Sequence, residues 1–376
     1  MAYYLSENIV LKWLESPSLY NIQRDELYEL DHESFEFLMD CVDGIEACAD
    51  LSFLKYCLNE GILSERPRKT EHPPVLRSPV PSLRYLELQI TNRCNLLCKH
   101  CYIEDKDPDE LSIDEITEIL REFEEMQGLR VIITGGEPLL YTRFKELNNI
   151  LPRFSVRKLL LSNGLLLTKA IIEELNFEEV QISIDGLEDS HDSIRGKGTF
   201  RKALDSIRLI KEAGLDVSVA TIIHPKNLRD LDKLEKILMD MDVKTWTVDI
   251  PCNQGRLRSN KEFVVSPEEG GKYLRYGFGE DLHSPSSGFA CGLHLMAVTA
   301  KGEISKCTFY SDRKVGLIRD GLRECWQKIK PVKLIDLRCD CEYIEVCRGG
   351  CRYRAEILTG DPLGKDLYRC SYYGID

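Results

Sequence analysis

The sequence predicts an α/β protein whose central part is a partial (β/α)6 barrel. From residue 84 to about residue 281, short apolar runs alternate with segments of helical periodicity, as in a parallel sheet covered by helices. A shorter group of strands and helices comes first and is followed by a stretch with five prolines. Eight of the 15 cysteines lie between Cys291 and Cys370. These observations divide the chain into a first unit at 1–64, a linker at 65–82, a core at 83–281 and a cysteine-rich domain at 282–376.

The first unit contains three predicted strands and two predicted helices. The strands cover residues 9–14, 18–22 and 26–30, and the helices cover 32–43 and 51–59. Each helix is followed by glycine, as helix C-termini often are. This order is similar to the small winged-helix domain that recognises leader peptides in ribosomal-peptide modification, where the leader adds as a strand to the sheet edge. A DNA-binding winged helix and a dimerisation module are the alternatives, and the net charge of −13 disfavours the first of them.

The core contains six predicted β–α units. Its helices include one that opens at Ser112, where Ser112 and Glu115 have the spacing of a capping box. In a barrel of parallel strands the active site lies at the carboxyl ends of the strands. The predicted strands cover residues 85–90, 129–134, 158–162, 180–184, 216–223 and 245–250, and the clearest helices cover 112–126, 201–213 and 228–241.

Three cysteines follow the first of these strands. Cys94, Cys98 and Cys101 have the spacing C-x3-C-x2-C and precede Tyr102. A cubane iron–sulfur cluster needs four thiolates for full ligation, so three leave one iron open. The loop resembles the cluster motif of radical S-adenosylmethionine (SAM) enzymes, in which SAM chelates the open iron and one electron cleaves it to a 5′-deoxyadenosyl radical. Free thiols and a zinc knuckle are the alternatives, although zinc usually has a fourth Cys or His ligand and His100 lies between two of the cysteines.

The resemblance extends to later strand ends. Glycines at a strand end let backbone approach a ligand closely, and in the family a Gly-Gly-Glu-Pro segment contacts the amino group of SAM. No general acid or base stands out, and Asp249 and Asp185, at strand ends facing the predicted barrel mouth, are the carboxylates predicted to be catalytic. The residues that the resemblance implies for SAM binding are Tyr102, Gly135, Gly136, Glu137, Pro138, Asn163, Ser183 and Arg195.

The C-terminal cysteines resemble a SPASM domain, the auxiliary-cluster module of many radical SAM enzymes. The pattern is Cys291-x10-Gly302-x4-Cys307, then Cys339-x-Cys341-x5-Cys347-x3-Cys351, and later Cys370. The family has two residues inside the pair in which this chain has one, which puts the ligand geometry of one cluster in doubt. The resemblance assigns auxiliary cluster one to Cys291, Cys307 and Cys351, and auxiliary cluster two to Cys339, Cys341, Cys347 and Cys370.

Auxiliary cluster one lacks an obvious fourth thiolate. Cys325 is a candidate, but it lies in a predicted helix beside Trp326, where a cysteine is often mere packing. The other alternative is an open iron that binds a substrate thiolate.

The resemblance as a whole implies a radical SAM/SPASM peptide maturase with an N-terminal winged-helix-like domain. Its cofactors would be SAM and three [4Fe-4S] clusters, and its partners a precursor peptide bound through its leader and a reductant such as flavodoxin or ferredoxin. A thioether crosslink is the expected product. Carbon–carbon crosslinking, epimerisation, oxidative decarboxylation, and sulfatase-type or haem-precursor maturation are the enzyme alternatives, and a zinc-stabilised adaptor is the non-enzyme alternative.

The sequence also indicates a compartment. It has no signal-peptide pattern and no run long enough to span a membrane. We therefore expect free thiols in a reducing, anaerobic cytoplasm rather than disulfides, with neither nucleic acid nor membrane as a partner.

Overall fold

The N-terminal unit forms two small antiparallel sheets with two helices. The computed structural model describes residues 2–46, 50–103, 107–279 and 288–375. One sheet has the order β2-β3-β4, the other pairs β1 with β5, and β1 was not predicted from the sequence. Asp31 and Asp50 cap the two helices by accepting backbone N–H bonds. The elements are β1 Tyr4–Leu5, β2 Ile9–Trp13, β3 Pro17–Asn21, β4 Glu26–Glu29, α1 His32–Asp43, α2 Leu51–Asn59 and β5 Leu63–Ser64.

Six parallel strands form the predicted partial barrel. They lie in the order β11-β10-β9-β8-β7-β6, so each strand pairs with its neighbour in sequence. The capping box of Ser112 and Glu115 is present at the start of α3. The elements are β6 Tyr85–Gln89, α3 Ile113–Glu125, β7 Arg130–Thr134, α4 Phe144–Ile150, β8 Arg157–Ser162, α5 Lys169–Glu173, β9 Glu179–Ser183, α6 Glu188–Arg195, α7 Thr199–Glu212, β10 Asp216–Ile222, α8 Leu231–Asp240 and β11 Thr245–Asp249.

The cysteine-rich segment continues the same sheet. Strand β12 pairs in parallel with β6, and β13 and β14 add antiparallel strands beyond it. The predicted boundary between residues 281 and 282 lies outside the described residues. The elements are α9 Pro267–Gly270, β12 Leu295–Val298, β13 Glu303–Ser305, β14 Gly316–Leu317, α10 Leu322–Lys328, α11 Ile344–Cys347, α12 Arg352–Thr359 and α13 Leu367–Tyr372. Across the described ranges, no helix is long and apolar enough to cross a membrane.

The N-terminal unit lies against the end of the barrel at which the strands begin. Arg157, the first residue of β8, is fully buried and donates from Nη1 to the carbonyl oxygens of Ile22 and Gln23, both at 2.9 Å. Arg130, the first residue of β7, donates to the carboxylate of Asp25. Because the cysteine loop follows the carboxyl end of β6, the N-terminal unit and the cysteine loop lie at opposite ends of the barrel. An apolar cluster at this contact contains Val10, Leu14, Tyr20, Ile22 and Leu129.

A buried lysine at this contact predicts a pH-dependent stability. Lys12 is 1% exposed, and its Nζ donates to the carbonyl oxygen of Ser155 at 3.4 Å. Burial lowers the pKa of Lys12 to about 8, although Glu124 opposes the change. Between pH 8 and about pH 10 the unfolded chain holds a proton here that the native state has lost, so the free energy of unfolding rises with pH in that window. Below pH 8 Lys12 is protonated in both the native and the unfolded state, and the native state bears the full free-energy cost of burying the charge.

Lys12→Met should therefore raise the free energy of unfolding at pH 7 by about 1–3 kcal/mol, because it removes a buried charge while keeping an apolar chain. The gain should shrink as the pH approaches 10. Denaturant unfolding of both proteins across this range measures it, with Lys202→Met on the exposed face of α7 as the control. A gain that is independent of pH would contradict the prediction.

Candidate active site

The three cysteines of the predicted cluster motif lie in the loop after β6. Cys94 is exposed, and Cys98 and Cys101 are half-buried. The backbone N–H of Lys99 donates to the carbonyl oxygen of Ile194 near the end of α6, at 2.9 Å. On the other side, the backbone N–H of Arg256 donates to the carbonyl oxygen of Cys101, also at 2.9 Å. The loop is thus held between α6 and the segment after β11.

The donor set fits a cluster better than a single ion. The three thiols interact electrostatically, yet no three His, Cys, Asp or Glu side chains among the described residues converge on the position of one metal ion. A cubane places each thiolate on a separate iron, so its ligands stand farther apart than those of one zinc. Nε2 of His100 faces the Arg195–Asp185 pair, at 3.4 Å from Nη2 of Arg195 and 3.9 Å from Oδ2 of Asp185.

Gly135 and Gly136 allow the strand end of β7 to pack directly on the cysteine loop. The backbone N–H of Gly136 donates to the carbonyl oxygen of Thr91, and that of Glu137 to the carbonyl oxygen of Arg93, both at 2.8 Å. A Cβ at Gly135 would meet the carbonyl oxygen of Thr91 at 2.5 Å, and one at Gly136 would meet the carbonyl oxygens of Asn92 and Arg93. The two glycines are therefore needed to shape the loop, whatever else they contact.

Glu137 connects three strand ends beneath the loop. It is fully buried, and its carboxylate accepts hydrogen bonds from the hydroxyl of Ser162 and the backbone N–H of Asn163, both at 2.9 Å. Burial raises the pKa of Glu137 to about 7, and these hydrogen bonds oppose it. The Asn163 amide in turn donates to the side-chain oxygen of Asn95 in the cysteine loop, at 2.8 Å. Asn163 and Glu137 are thus part of the support of the loop.

Asp185 is a buried anchor for Arg195. Its Oδ2 accepts from Nε of Arg195 at 2.6 Å, and its Oδ1 accepts from the backbone N–H of Ile222 at 2.9 Å. Burial alone would raise the pKa of Asp185, but the Arg195 guanidinium holds it well below its usual range. Both carboxylate oxygens have protein partners and the residue is 0% exposed, so the carboxylate is enclosed by protein, and its catalytic role stays a prediction.

Asp249 joins the last barrel strand to the C-terminal domain. Its Oδ1 accepts from the buried guanidinium of Arg354. Arg354 also donates from Nη2 to Asp366 at 2.9 Å, and Asp366 accepts the backbone N–H of Cys351 at 2.8 Å. Unlike Asp185, Asp249 keeps 39% of its side chain exposed, but its ion pair ties it to the scaffold of an auxiliary cysteine.

The remaining predicted SAM contacts lie around the same opening. Tyr102 is half-buried, and burial raises the pKa of its hydroxyl, which is hydrogen-bonded to Thr134 at the end of β7. Pro138 opens a short 3-10 helix, and Ser183 ends β9. The structure therefore brings all of the predicted SAM-contact residues to the carboxyl side of the sheet.

Sequence reasoning missed Gly255 and Cys252, which lie after β11. Gly255 has φ of +56°, and a Cβ there would meet the carbonyl oxygen of Cys101 and would lie 2.6 Å from Cα of Tyr102. Cys252 is 5% exposed, and its thiol is hydrogen-bonded to that of Cys351. The only local signal for Gly255 was that a glycine lies in a polar loop. The only local signal for Cys252 was an isolated cysteine.

The cysteines assigned to auxiliary cluster two line one cavity. Asp340, Lys365 and Asp366 lie among its walls. The single residue between the first two cysteines does not prevent both from facing this space. The four lining cysteines are Cys339, Cys341, Cys347 and Cys370.

The cysteines assigned to auxiliary cluster one also come together. Cys291 and Cys307 each interact electrostatically with Cys351. Cys325 does not join them: it is fully buried in α10, and its Sγ lies 3.8 Å from the carbonyl oxygen of Leu317 within the main apolar core. We therefore interpret Cys325 as a packing residue of α10.

Comparisons with known proteins agree with this geometry. Residues 88–238, which include the cysteine loop and the strand ends up to Arg195, match the radical SAM superfamily. An AdoMet-dependent heme synthase from Oleidesulfovibrio alaskensis is 26% identical over 354 residues, covering 80% of this chain and 90% of that protein. The sporulation killing factor maturation protein SkfB from Bacillus subtilis is 35% identical over 146 residues, covering 37% of this chain and 36% of SkfB.

The fold also resembles a solved structure over nearly its whole length. The crystal structure of Streptococcus suis SuiB bound to the precursor peptide SuiA has a TM-score of 0.69 and 16% identity, and the match covers 97% of this chain and 99% of that one. The likeness includes the N-terminal unit as well as the barrel and the cysteine-rich segment.

Proposed function

We propose that this chain, a member of the radical SAM superfamily, modifies a ribosomally made precursor peptide, with a thioether crosslink as the first expected product. Cys94, Cys98 and Cys101 would hold the SAM-binding cluster, which on reduction would supply the electron that splits SAM into methionine and a 5′-deoxyadenosyl radical able to remove hydrogen from the substrate. The observation that carries the proposal is the convergence of this loop with the Gly135–Pro138 segment at the carboxyl side of a partial barrel.

The residues around the cysteine loop would then have distinct roles. Gly135 and Gly136 present backbone beside the open side of the loop, and Glu137 and Asn163 keep the loop in place. Arg195 is held by Asp185, its Nη2 lies 3.4 Å from Nε2 of His100, and its charge interacts with Cys98 and Cys101. We assign Asp185 a positioning role, because it is fully buried and both of its oxygens already accept hydrogen bonds from the protein.

The N-terminal unit offers a place for the leader. Strand β2 is flanked by the linker, since the backbone N–H of Leu11 donates to His72 at 2.9 Å and that of Ser78 donates to the carbonyl oxygen of Trp13. Among the described residues, β4 pairs with β3 alone and so presents an edge. An unpaired strand edge can accept a peptide as a further strand.

A shallow apolar surface lies beside this edge. Tyr28 on β4 is 38% exposed and Tyr56 on α2 is 50% exposed, and the two rings are close enough to interact electrostatically. Glu26 and Glu60 flank them. We infer a leader with aromatic or aliphatic anchors and basic neighbours.

The position of this edge sets a length requirement on the substrate. Strand β4 follows the residues that contact the start of the barrel strands, whereas the cysteine loop lies beyond their carboxyl ends. A five-residue strand spans about 16 Å, which an extended peptide crosses with about five residues. The segment recognised by β4 and the modified residue must therefore be separated by more than this.

This separation gives the test of the function. The probe is the short peptide encoded by the open reading frame beside this gene, incubated with reconstituted enzyme, SAM and a reductant without oxygen. A crosslink lowers the peptide mass by two hydrogens, and epimerisation leaves it unchanged. We expect modification to be lost when the spacer after the leader is shortened below about five residues, and retained when flexible residues replace the same spacer at full length.

Three outcomes would contradict the proposal. Modification that is independent of the leader and of the spacer would remove the role of the N-terminal unit. Conversion of an iron porphyrin in place of the peptide would favour haem-precursor maturation, the second candidate, which the similarity to the heme synthase supports. A colourless protein with zinc and no iron would favour the adaptor.

We place the reaction in a reducing, anaerobic cytoplasm, with flavodoxin or ferredoxin as the reductant. The ten cysteines assigned to the three clusters form no disulfide, which suits cluster assembly.

A further inference from the structure

The starting point is the incomplete ligand set of auxiliary cluster one. Cys291, Cys307 and Cys351 interact with one another, and Cys325 lies in the apolar core. A cubane with three thiolates keeps an open iron, whereas a fourth thiolate closes it. Which of these holds decides whether this cluster can bind a substrate group.

Cys252 occupies the place of the missing thiolate. It comes three residues after the end of β11, on the barrel rather than on the cysteine-rich segment, and its thiol is hydrogen-bonded to the thiol of Cys351. Both residues are free cysteines. Although they are far apart in sequence, the fold places them in direct contact.

A buried ionic network fixes this contact from both sides. Arg354, three residues after Cys351, donates to Asp249 and to the carbonyl oxygen of Ile250, the latter at 3.3 Å. It also pairs with Asp366, which accepts the backbone N–H of Cys351. The same guanidinium thus holds the segment that carries Cys252 and the turn that carries Cys351, so their proximity is built into the scaffold. Removing one partner of such a buried ion pair leaves an unpaired buried charge, which destabilises the folded state. The ion pairs therefore favour this one arrangement of the two segments.

The chemical environment suits a ligand rather than packing. A structural cysteine is normally surrounded by apolar side chains, whereas Cys252 faces another thiol next to a charged network. The two neighbouring thiols form no disulfide, so both can lose a proton and bind iron as thiolates.

We propose that Cys252 is the fourth thiolate of auxiliary cluster one, together with Cys291, Cys307 and Cys351. The proposal rests on the proposed function in assuming that this cluster is present. A closed cluster has no iron left for a substrate sulfur, so a thioether product would have to form without ligation of the substrate at this site. The segment from Cys252 to Arg256 would also connect the two sites directly, since Arg256 contacts the carbonyl oxygen of Cys101.

The test isolates the auxiliary clusters and measures them without turnover. The parent is the full-length Cys94/Cys98/Cys101→Ala variant, which should retain about eight irons per chain if both auxiliary cubanes form. Cys252→Ser is added to it, Cys325→Ala serves as the matched control, and Cys351→Ala as the positive control. Iron and sulfide are quantified, and the oxidised and reduced proteins are examined by electron paramagnetic resonance and Mössbauer spectroscopy.

The proposal expects a changed cluster in the Cys252→Ser protein. It should lose between about one and four irons, with a three-iron signal or an altered ligand environment at one cluster, while Cys325→Ala matches the parent. Unchanged iron and spectra in Cys252→Ser, with clear loss in Cys351→Ala, would overturn it and make Cys252 packing. A parent with only about four irons would also overturn it, and would locate the failure in the auxiliary cluster itself rather than in Cys252.

Discussion

We expect Cys94→Ala to abolish the formation of 5′-deoxyadenosine from SAM. Cys94, Cys98 and Cys101 are the thiols that the loop after β6 brings together, and a cubane held by only two of them loses a third of its protein ligands and its defined open iron. We expect activity to fall to the level of a reaction without enzyme, with about four irons fewer per chain than wild type.

Liquid chromatography of the deoxyadenosine formed with SAM and a chemical reductant measures this loss, and iron analysis accompanies it. Cys41→Ala is the matched control, because Cys41 is equally a cysteine but is buried in α1 of the N-terminal unit. Persistent SAM cleavage in the triple Cys94/Cys98/Cys101→Ala variant would contradict the assignment of the loop.

Gly136→Ala is expected to have the second largest effect. The added Cβ would meet the carbonyl oxygen of Arg93 and lie 2.7 Å from that of Asn92. These are backbone atoms directly before Cys94, so no side chain can rotate to relieve the contact. The loop must shift, and the hydrogen bond from Glu137 to Arg93 must break with it. We expect the SAM-binding cluster to be lost or displaced, with deoxyadenosine formation reduced by at least about tenfold, as a misplacement of about 1 Å can cost more than that.

A second glycine separates this clash from general destabilisation. Gly360, after α12, has φ of +75°, and a Cβ added there would have nothing within 4 Å, so Gly360→Ala adds backbone strain without a contact. It should leave iron content and deoxyadenosine formation near wild type. Equal losses in the two variants, or a Gly136→Ala protein with full cluster content, would show that the close packing is not required.

Several features were predictable because each depends on a short stretch of chain. The spacing of Cys94, Cys98 and Cys101 after an apolar run predicted a cysteine loop at a strand end, and the structure places it there. The capping box at Ser112 was readable because capping is local. The alternation of strands and helices predicted the parallel sheet, since the period of the apolar residues fixes each element.

Other features could not be read from the sequence, because each depends on contacts between distant segments of the chain. Asp185 was predicted to face the barrel mouth, but the ion pair with Arg195 and the backbone of Ile222 bury it. The contact of Asp249 with Arg354 joins residues 105 positions apart, and no pattern in either segment indicates it. The same applies to Cys252, whose partner lies in another domain.

The sequence by itself determined the element order, the cysteine loop and the resemblance to the radical SAM superfamily over residues 88–238, because these depend on the local spacing of residues. Only the tertiary structure decided which end of the barrel carries the N-terminal unit, which carboxylate is buried, and which thiol meets Cys351. These features depend on contacts between segments that are distant in the sequence. Such contacts form only when the sheet and the segments around it pack together.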